Sequence, residues 1–265
     1  DVLAVTNMAS MFSGAQSFNQ DISKWQVTNV INMSYMFSNA IAFNQPLNTW
    51  DVNSVVNMRA TFRNASVFNQ PLDNWDVSAV ANMTEMFEDA SLFNQPINIW
   101  NVSSVTLMES MFEDAISFNQ PLNSWNTAVV TNFEAMFKGA LLFNEPLSNW
   151  NTGEALTMKA MFREAATFNQ NIDSWNVSFV TTLEAMFNDA TTFNGDISAW
   201  NVRGVITMEE MFSNATSFNQ NLNNWRVLGV NNMDYMFREA STYNQTMNLW
   251  NLGDVSMRST FFNAT

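Results

Sequence analysis

Residues 101–125 read NVSSVTLMESMFEDAISFNQPLNSW, and this 25-residue pattern recurs along the whole chain. Its Trp returns every 25 residues, which accounts for all ten Trp of the sequence: Trp25, Trp50, Trp75, Trp100, Trp125, Trp150, Trp175, Trp200, Trp225 and Trp250. A fixed period of this length is typical of a solenoid, in which each repeat buries its apolar side against its neighbours. We number the repeat so that Trp is slot 25.

The repeat predicts one elongated domain over residues 1–265. It contains ten full repeats in residues 1–250 and a partial eleventh in residues 251–265, which loses one residue before Met257. Solenoids need polar caps, and neither 1–5 nor the partial repeat has the character of one. We therefore expect missing caps, with further chain or neighbouring subunits covering the ends.

The first apolar series in each repeat predicts a short helix. Slots 8, 11, 12 and 15 hold Met108, Met111, Phe112 and Ala115 in the fifth copy, which is the i, i+3, i+4, i+7 spacing of one helix face. Slot 7 is Asn or Thr in nine of the ten full copies, and both are suitable N-caps. Acidic residues at slots 9 and 10 would complement the helix dipole.

The second apolar series predicts a short parallel strand around each Trp. Slots 22, 25, 2 and 5, as in Leu122, Trp125, Thr127 and Val130, alternate across Trp as a strand does. Because stacked helices are wider than stacked strands, we expect a curved or rod-like α/β solenoid with the sheet on its concave side.

Asn occupies slot 19 in all ten full copies, and such a column can satisfy backbone groups of adjacent turns. The predicted structural ladder consists of Asn19, Asn44, Asn69, Asn94, Asn119, Asn144, Asn169, Asn194, Asn219 and Asn244.

The unit N-M-x-x-M-F-x-x-A-x-x-F-N-Q-P-L-x-x-W-x-V resembles the BspA-like leucine-rich repeats of bacterial and protist surface proteins, a family with 25- or 26-residue surface-protein repeats. Within it, Leu47 to Val55 are similar to the leucine-rich-repeat core, with Trp in place of the second Leu. The resemblance spans residues 1–265. It implies a right-handed solenoid, a secreted or cell-surface location, and a role in adhesion or protein binding, and it brings no catalytic residues.

Polar side chains beside the predicted strands form the candidate concave binding face. They occupy slots 23, 24, 1 and 3, and the candidates are Asp51, Asp73, Asp76, Asn123, Ser124, Asn126, Asn149, Asn151, Asp173 and Asn176. Amides and hydroxyls in a row suit a protein or polysaccharide partner bound by many weak hydrogen bonds. The same row could equally be a solvated face without a ligand.

Composition argues against several other functions. A net charge of −14 opposes binding to nucleic acid and anionic membranes, and no run of residues is apolar for long enough to span a membrane. With neither His nor Cys and no residue that breaks the pattern in one place, we expect no catalytic site, cofactor or metal.

Three repeated features have both a functional and a structural interpretation. Met-x-x-Met pairs could bind copper, but core packing is favoured because Phe133 and Leu183 replace Met. Trp could stack on sugars, but burial is favoured for slot 25. Acidic residues at slots 13 and 14 could attract a cation, but solvation of an outer face is the simpler interpretation.

Two functions remain after these exclusions. The first is a non-enzymatic surface or secreted module that binds protein or glycan through its concave sheet face and outer helices. The alternative is a structural subunit or segment of a larger assembly, such as a filament, surface layer or multi-subunit complex.

Overall fold

The chain folds as a stack of similar rungs in a computed structural model that describes residues 2–264. Ten isolated parallel bridges connect slot 7 of each rung to slot 7 of the next, from Asn7–Asn32 through Asn232–Ser256. The stacked repeat predicted from the sequence is therefore confirmed, with one rung for each 25 residues. Asp1 and Thr265, the outermost residues of the predicted 1–265 domain, lie outside the described residues.

The prediction of one helix per repeat is wrong. The described residues contain one helix, a 3₁₀ helix at Val202–Gly204, and no α-helix. Within the segment predicted to be helical, slots 10 and 14 have positive φ, as at Ser110 (52°) and Asp114 (53°). A right-handed helix cannot continue through such residues.

Backbone hydrogen bonds between rungs replace the helix. The N–H groups of Ser110, Phe112 and Asp114 donate to carbonyls one rung onward at 2.8, 2.9 and 2.7 Å, and equivalent bonds recur along the stack. Turn bonds within the rung, such as Met111 N–H to Met108 O at 3.2 Å, satisfy the alternate donors. Apolar slots 8, 11, 12 and 15 thus face the core without a helix.

The predicted strand around Trp is also wrong, because that segment forms turns. Trp125 N–H donates to Leu122 O and Val130 N–H to Thr127 O, both at 3.0 Å and both within one rung. The parallel pairing lies instead at slot 7, where the Oδ1 of Asn132 accepts from Glu134 N–H at 2.8 Å. The predicted capping residue therefore closes a turn beside a bridge.

Three aromatic columns form the core between these backbone segments. From the fifth rung to the sixth, ring centroids are 5.6 Å apart for Phe112–Phe137, 6.0 Å for Phe118–Phe143 and 6.3 Å for Trp125–Trp150. The spacing is shortest beside the backbone ladder and longest along the Trp column. The expectation of a concave sheet on the Trp side depended on wide helices, which are absent from residues 2–264.

Tyr243 replaces the slot-18 Phe in the tenth rung and places a hydroxyl in this core. The residue is 3% exposed, stacks 4.1 Å from Phe237, and has no hydrogen-bond partner for its Oη among the described residues. Burial raises the pKa of the phenol above its usual range. The hydroxyl is thus a buried polar group without compensation.

We expect Tyr243→Phe to increase the free energy of unfolding by about 1–2 kcal/mol, because it removes the uncompensated hydroxyl and keeps the ring. Urea denaturation at pH 7 followed by circular dichroism measures this change. Tyr35→Phe, at a half-buried slot 10, is the matched control and should change stability by less than about 0.5 kcal/mol. Destabilisation by Tyr243→Phe would show that the hydroxyl makes a favourable contact.

Candidate binding surfaces

The Trp column lies beneath the surface and is unavailable for stacking on a sugar. Trp125 is 2% exposed, and its Nε1 donates to Ile97 O on the preceding rung at 3.1 Å. The same bond to the slot-22 carbonyl recurs from Trp50 to Trp250. The prediction that these side chains are buried is confirmed for Trp50 through Trp225, while Trp25 and Trp250 are partly buried.

Polar side chains at slots 23, 24, 1 and 3 lie at the surface beside this column, and we call them the amide row. Seven of the ten predicted candidates are exposed and three are half-buried. The exposed ones are Asp51, Asp76, Ser124, Asn126, Asn149, Asn151 and Asn176, and the half-buried ones are Asp73, Asn123 and Asp173.

Several slot-1 side chains of the amide row hold a turn. The Oδ1 atoms of Asn126, Asn151 and Asn176 accept from the slot-3 N–H at 3.2, 3.0 and 3.1 Å. Asp51 and Asp76 accept in the same way, and the hydrogen bonds from Ser78 lower the pKa of Asp76. In contrast, the amide nitrogens of the three asparagines have no partner within residues 2–264.

The slot-23 side chains connect successive rungs. Asn123 Oδ1 accepts from Asn149 N–H at 2.8 Å, and Asp173 Oδ1 accepts from Ala199 N–H at 2.7 Å. Asp73 accepts from Asn48 Nδ2 at 2.7 Å. These candidates therefore also stabilise the stack, because they satisfy backbone or amide donors of the adjacent rung.

The slot-19 asparagines form a hydrogen-bonded ladder on another edge of the stack. Asn94 Oδ1 accepts both Asn119 N–H and Gln120 Nε2 at 3.0 Å. The backbone bond recurs between all consecutive members from Asn19 to Asn244. This column has a clear structural use, since each oxygen satisfies a backbone donor one rung onward.

Acidic residues gather beside the backbone ladder at slots 9, 10, 13 and 14. Glu88 contacts Arg63 at 3.1 Å, and Glu113 contacts Lys138 at 2.6 Å. Desolvation raises the pKa of Glu88 to about 7 against the opposing effect of Arg63. Among residues 2–264, no group of three or more His, Cys, Asp or Glu side chains is placed to hold a metal ion.

We expect Glu88→Gln to stabilise the protein at pH 7.5 by roughly 1–3 kcal/mol and to have little effect at pH 5. The folded-state pKa of Glu88 is above the ordinary Glu value of 4.5, so this group's stability contribution is present below about pH 4.5 and is lost as pH rises through 7. Urea denaturation at both pH values tests the difference. The control Glu164→Gln removes a carboxylate from an exposed ion pair and should change stability at pH 7.5 by less than about 0.5 kcal/mol.

Sequence reasoning missed several exposed apolar side chains that interrupt the polar surface. One strip follows slots 16 and 17 through the second to sixth rungs and consists of Ile41, Val67, Leu92, Ile116, Leu141 and Leu142. A second group lies at slots 3, 4 and 24 of later rungs, where Phe179, Leu228 and Leu249 are 62%, 61% and 64% exposed. Their departure from polar residues at equivalent slots was the available sequence signal.

The described part of the chain contains no helix that is both long and apolar enough to cross a membrane. The stacked rungs and buried aromatic columns define a solenoid repeat protein. The chain belongs to the family described as "Mycoplasma protein of unknown function, DUF285", which matches residues 1–98, 71–175 and 156–265.

Comparison with solved structures gives distant similarities. A solved leucine-rich repeat protein from Bacteroides ovatus is 11% identical, with a TM-score of 0.42, over 94% of this chain and 78% of the other. A TLR13–ssRNA13 complex is 10% identical, with a TM-score of 0.26, over 86% of this chain and 37% of the other. No curated protein matches the sequence.

Proposed function

We propose that this chain is a non-enzymatic surface or secreted module that binds a protein or glycan through the amide row. The observation that carries the proposal is that the amide nitrogens of Asn126, Asn151 and Asn176 have no hydrogen-bond partner within residues 2–264, while their oxygens are bonded. These occupy three successive rungs, and each oxygen is held in a turn. A row of oriented donors can bind carbonyl or hydroxyl oxygens with little loss of side-chain entropy.

The extracellular location and the adhesive role follow from the resemblance to BspA-like leucine-rich repeats, and both are part of the proposal. The right-handed sense of the solenoid is also implied by this resemblance and is also part of the proposal. The charge of −14 supports a partner other than nucleic acid or an anionic membrane. No reaction is assigned to the chain.

Binding to a panel of polysaccharides and extracellular proteins tests the use of the amide row. The test variant carries Ser124→Arg, Asn149→Arg and Ser174→Arg, which place bulk and charge on three consecutive exposed positions. The matched control carries Leu92→Arg, Ile116→Arg and Leu142→Arg on the apolar strip. We expect at least a ten-fold loss of binding in the test variant alone, and equal loss in both variants would contradict the proposal.

The alternative is a structural segment of a larger assembly, favoured by the geometry of the rung contact. Each rung donates hydrogen bonds from slots 8, 10, 12 and 14 to the following rung, as at Phe112 N–H to Met136 O. Another rung of the same type could continue this ladder. Sedimentation over a range of protein concentrations distinguishes the two functions, since the structural role requires concentration-dependent end-to-end association.

A further inference from the structure

Two arginines differ from most other cations of this acidic chain. Six basic side chains contact carboxylates: Arg59, Arg63, Lys138, Lys159, Arg163 and Arg258. Arg203 and Arg226 are exposed and make no ion pair with any residue that the structure describes. Each retains a guanidinium whose donors are available to a ligand.

The stacking of rungs brings these two arginines together. Both line a hollow of about 220 Å³ between the ninth and tenth rungs, with Asn201 and Asn224 beside them. A second hollow of about 340 Å³ shares Asn224 and Arg226 and extends to Asn251. We call the two together the Arg203–Arg226 hollow.

The lining combines three kinds of group. Arg203 and Arg226 supply positive charge, and the exposed Asn201, Asn224 and Asn251 supply amides. Leu228 and Leu249, which also line the larger hollow, remain more than half exposed. The indoles of Trp200 and Trp225 lie beneath the hollow at 3% and 2% exposure, so a ligand cannot stack on them.

We propose that the Arg203–Arg226 hollow binds a carboxylated sugar residue of a glycan. The proposal assigns a ligand class to one part of the proposed binding surface. A guanidinium binds a carboxylate through two parallel hydrogen bonds. The amides hydrogen-bond the ring hydroxyls, and the leucines contact the apolar face of the ring. This inference rests on the proposed binding function.

A single carboxylate suits this site better than a highly charged polymer. The net charge of −14 repels a polyanion along its whole length. One carboxylate held between two unpaired guanidiniums interacts mainly with those groups, because more distant charges are screened over about 8 Å at physiological salt.

The local backbone favours a sugar over an acidic peptide. A peptide that adds as a strand needs an open row of backbone donors and acceptors. Here the backbone forms turns that use these groups internally. Val205 N–H donates to Val202 O and Val230 N–H donates to Val227 O, both at 3.0 Å. Recognition therefore depends on side chains, in a shallow hollow suited to a ring.

Calorimetric titration of the folded protein tests the proposal. The four probes are D-glucuronate, D-glucose, acetate and the dipeptide N-acetyl-Asp-Leu-amide. We expect glucuronate to bind more tightly than the other three probes. Arg203→Gln and Arg226→Gln should each weaken glucuronate binding about ten-fold or more, as loss of a charged hydrogen-bonding group predicts. Arg226→Lys should recover part of the loss, because it restores charge but not the planar fork.

Arg238→Gln is the matched control, since Arg238 is exposed and lies over Tyr235 on a different slot. It should leave glucuronate binding unchanged. Equal affinity for acetate and glucuronate, tighter binding of the dipeptide, absence of glucuronate binding, or equal weakening in all three glutamine variants would each overturn the inference. The proposed function is tested separately by the variant that carries Ser124→Arg, Asn149→Arg and Ser174→Arg. If glucuronate does not bind but that variant still loses binding to a partner from the panel, only this inference fails and the proposed function stands.

Discussion

Trp125→Ala is expected to reduce the free energy of unfolding by about 3–5 kcal/mol. The substitution removes a buried indole that stacks 6.5 Å from Trp100 and 6.3 Å from Trp150. It also leaves Ile97 O without the Nε1 donor at 3.1 Å. Urea denaturation followed by far-ultraviolet circular dichroism measures the change.

Two further variants separate the contributions at this site. Trp125→Phe retains an aromatic ring but removes the donor and part of the volume, so we expect a smaller loss. Leu249→Ala truncates a side chain that is 64% exposed and should change stability by less than about 0.5 kcal/mol. A loss for Trp125→Ala no larger than that for Leu249→Ala would show that the Trp column does not hold the rungs together.

Phe112→Ala is expected to destabilise the fold by about 3–5 kcal/mol, near the upper end of this range. Phe112 is fully buried where the columns meet, with its centroid 4.1 Å from Phe118 and 6.4 Å from Trp125. It also stacks 5.7 Å from Phe87 and 5.6 Å from Phe137. Truncation therefore removes contacts within the rung and with both neighbouring rungs.

Phe179→Ala is the matched control, because the same substitution is made at a side chain that is 62% exposed. Its effect on the urea midpoint should be small. Phe112→Leu should fall between the two, since it retains much of the apolar volume. Similar midpoints for Phe112→Ala and Phe179→Ala would contradict the packing described for the aromatic columns.

The buried residues were predictable because their period is visible without any structure. Met108, Met111, Phe112 and Ala115 occupy the spacing of one helix face, and all are buried. The same spacing arises when two successive turns place the same slots inward. Periodicity reports which residues face the core, and it did not distinguish a helix from a ladder of turns.

The residues at slot 14 carry the sequence signal that distinguishes a helix from a ladder of turns. Slot 14 is Gly, Asn or Asp in most copies, including Asn64, Asp89, Asp114 and Gly139, all with positive φ. Gly, Asn and Asp adopt left-handed backbone conformations more readily than other residues. The acidic residues at slot 14, interpreted from the sequence as part of a solvated outer face, are in part residues that allow this turn.

The candidate surface was predictable in composition but not in its local contacts. Asn126 and Asn123 lie at the surface as expected, yet their oxygens serve a turn and the next rung. These hydrogen bonds depend on which backbone N–H group lies next to each amide oxygen in the folded chain. The partner of Asn123 is 26 residues away in the chain.

By itself, the sequence determined the stacked 25-residue rung, the buried aromatic columns and the absence of His and Cys, because these depend only on residue type and period. Tertiary structure alone decided that the rungs hold together through hydrogen bonds between turns and that Arg203 and Arg226 line one hollow. Both depend on contacts between adjacent rungs, where residues about 25 positions apart in the chain become neighbours, and the spacing within one repeat does not specify those contacts.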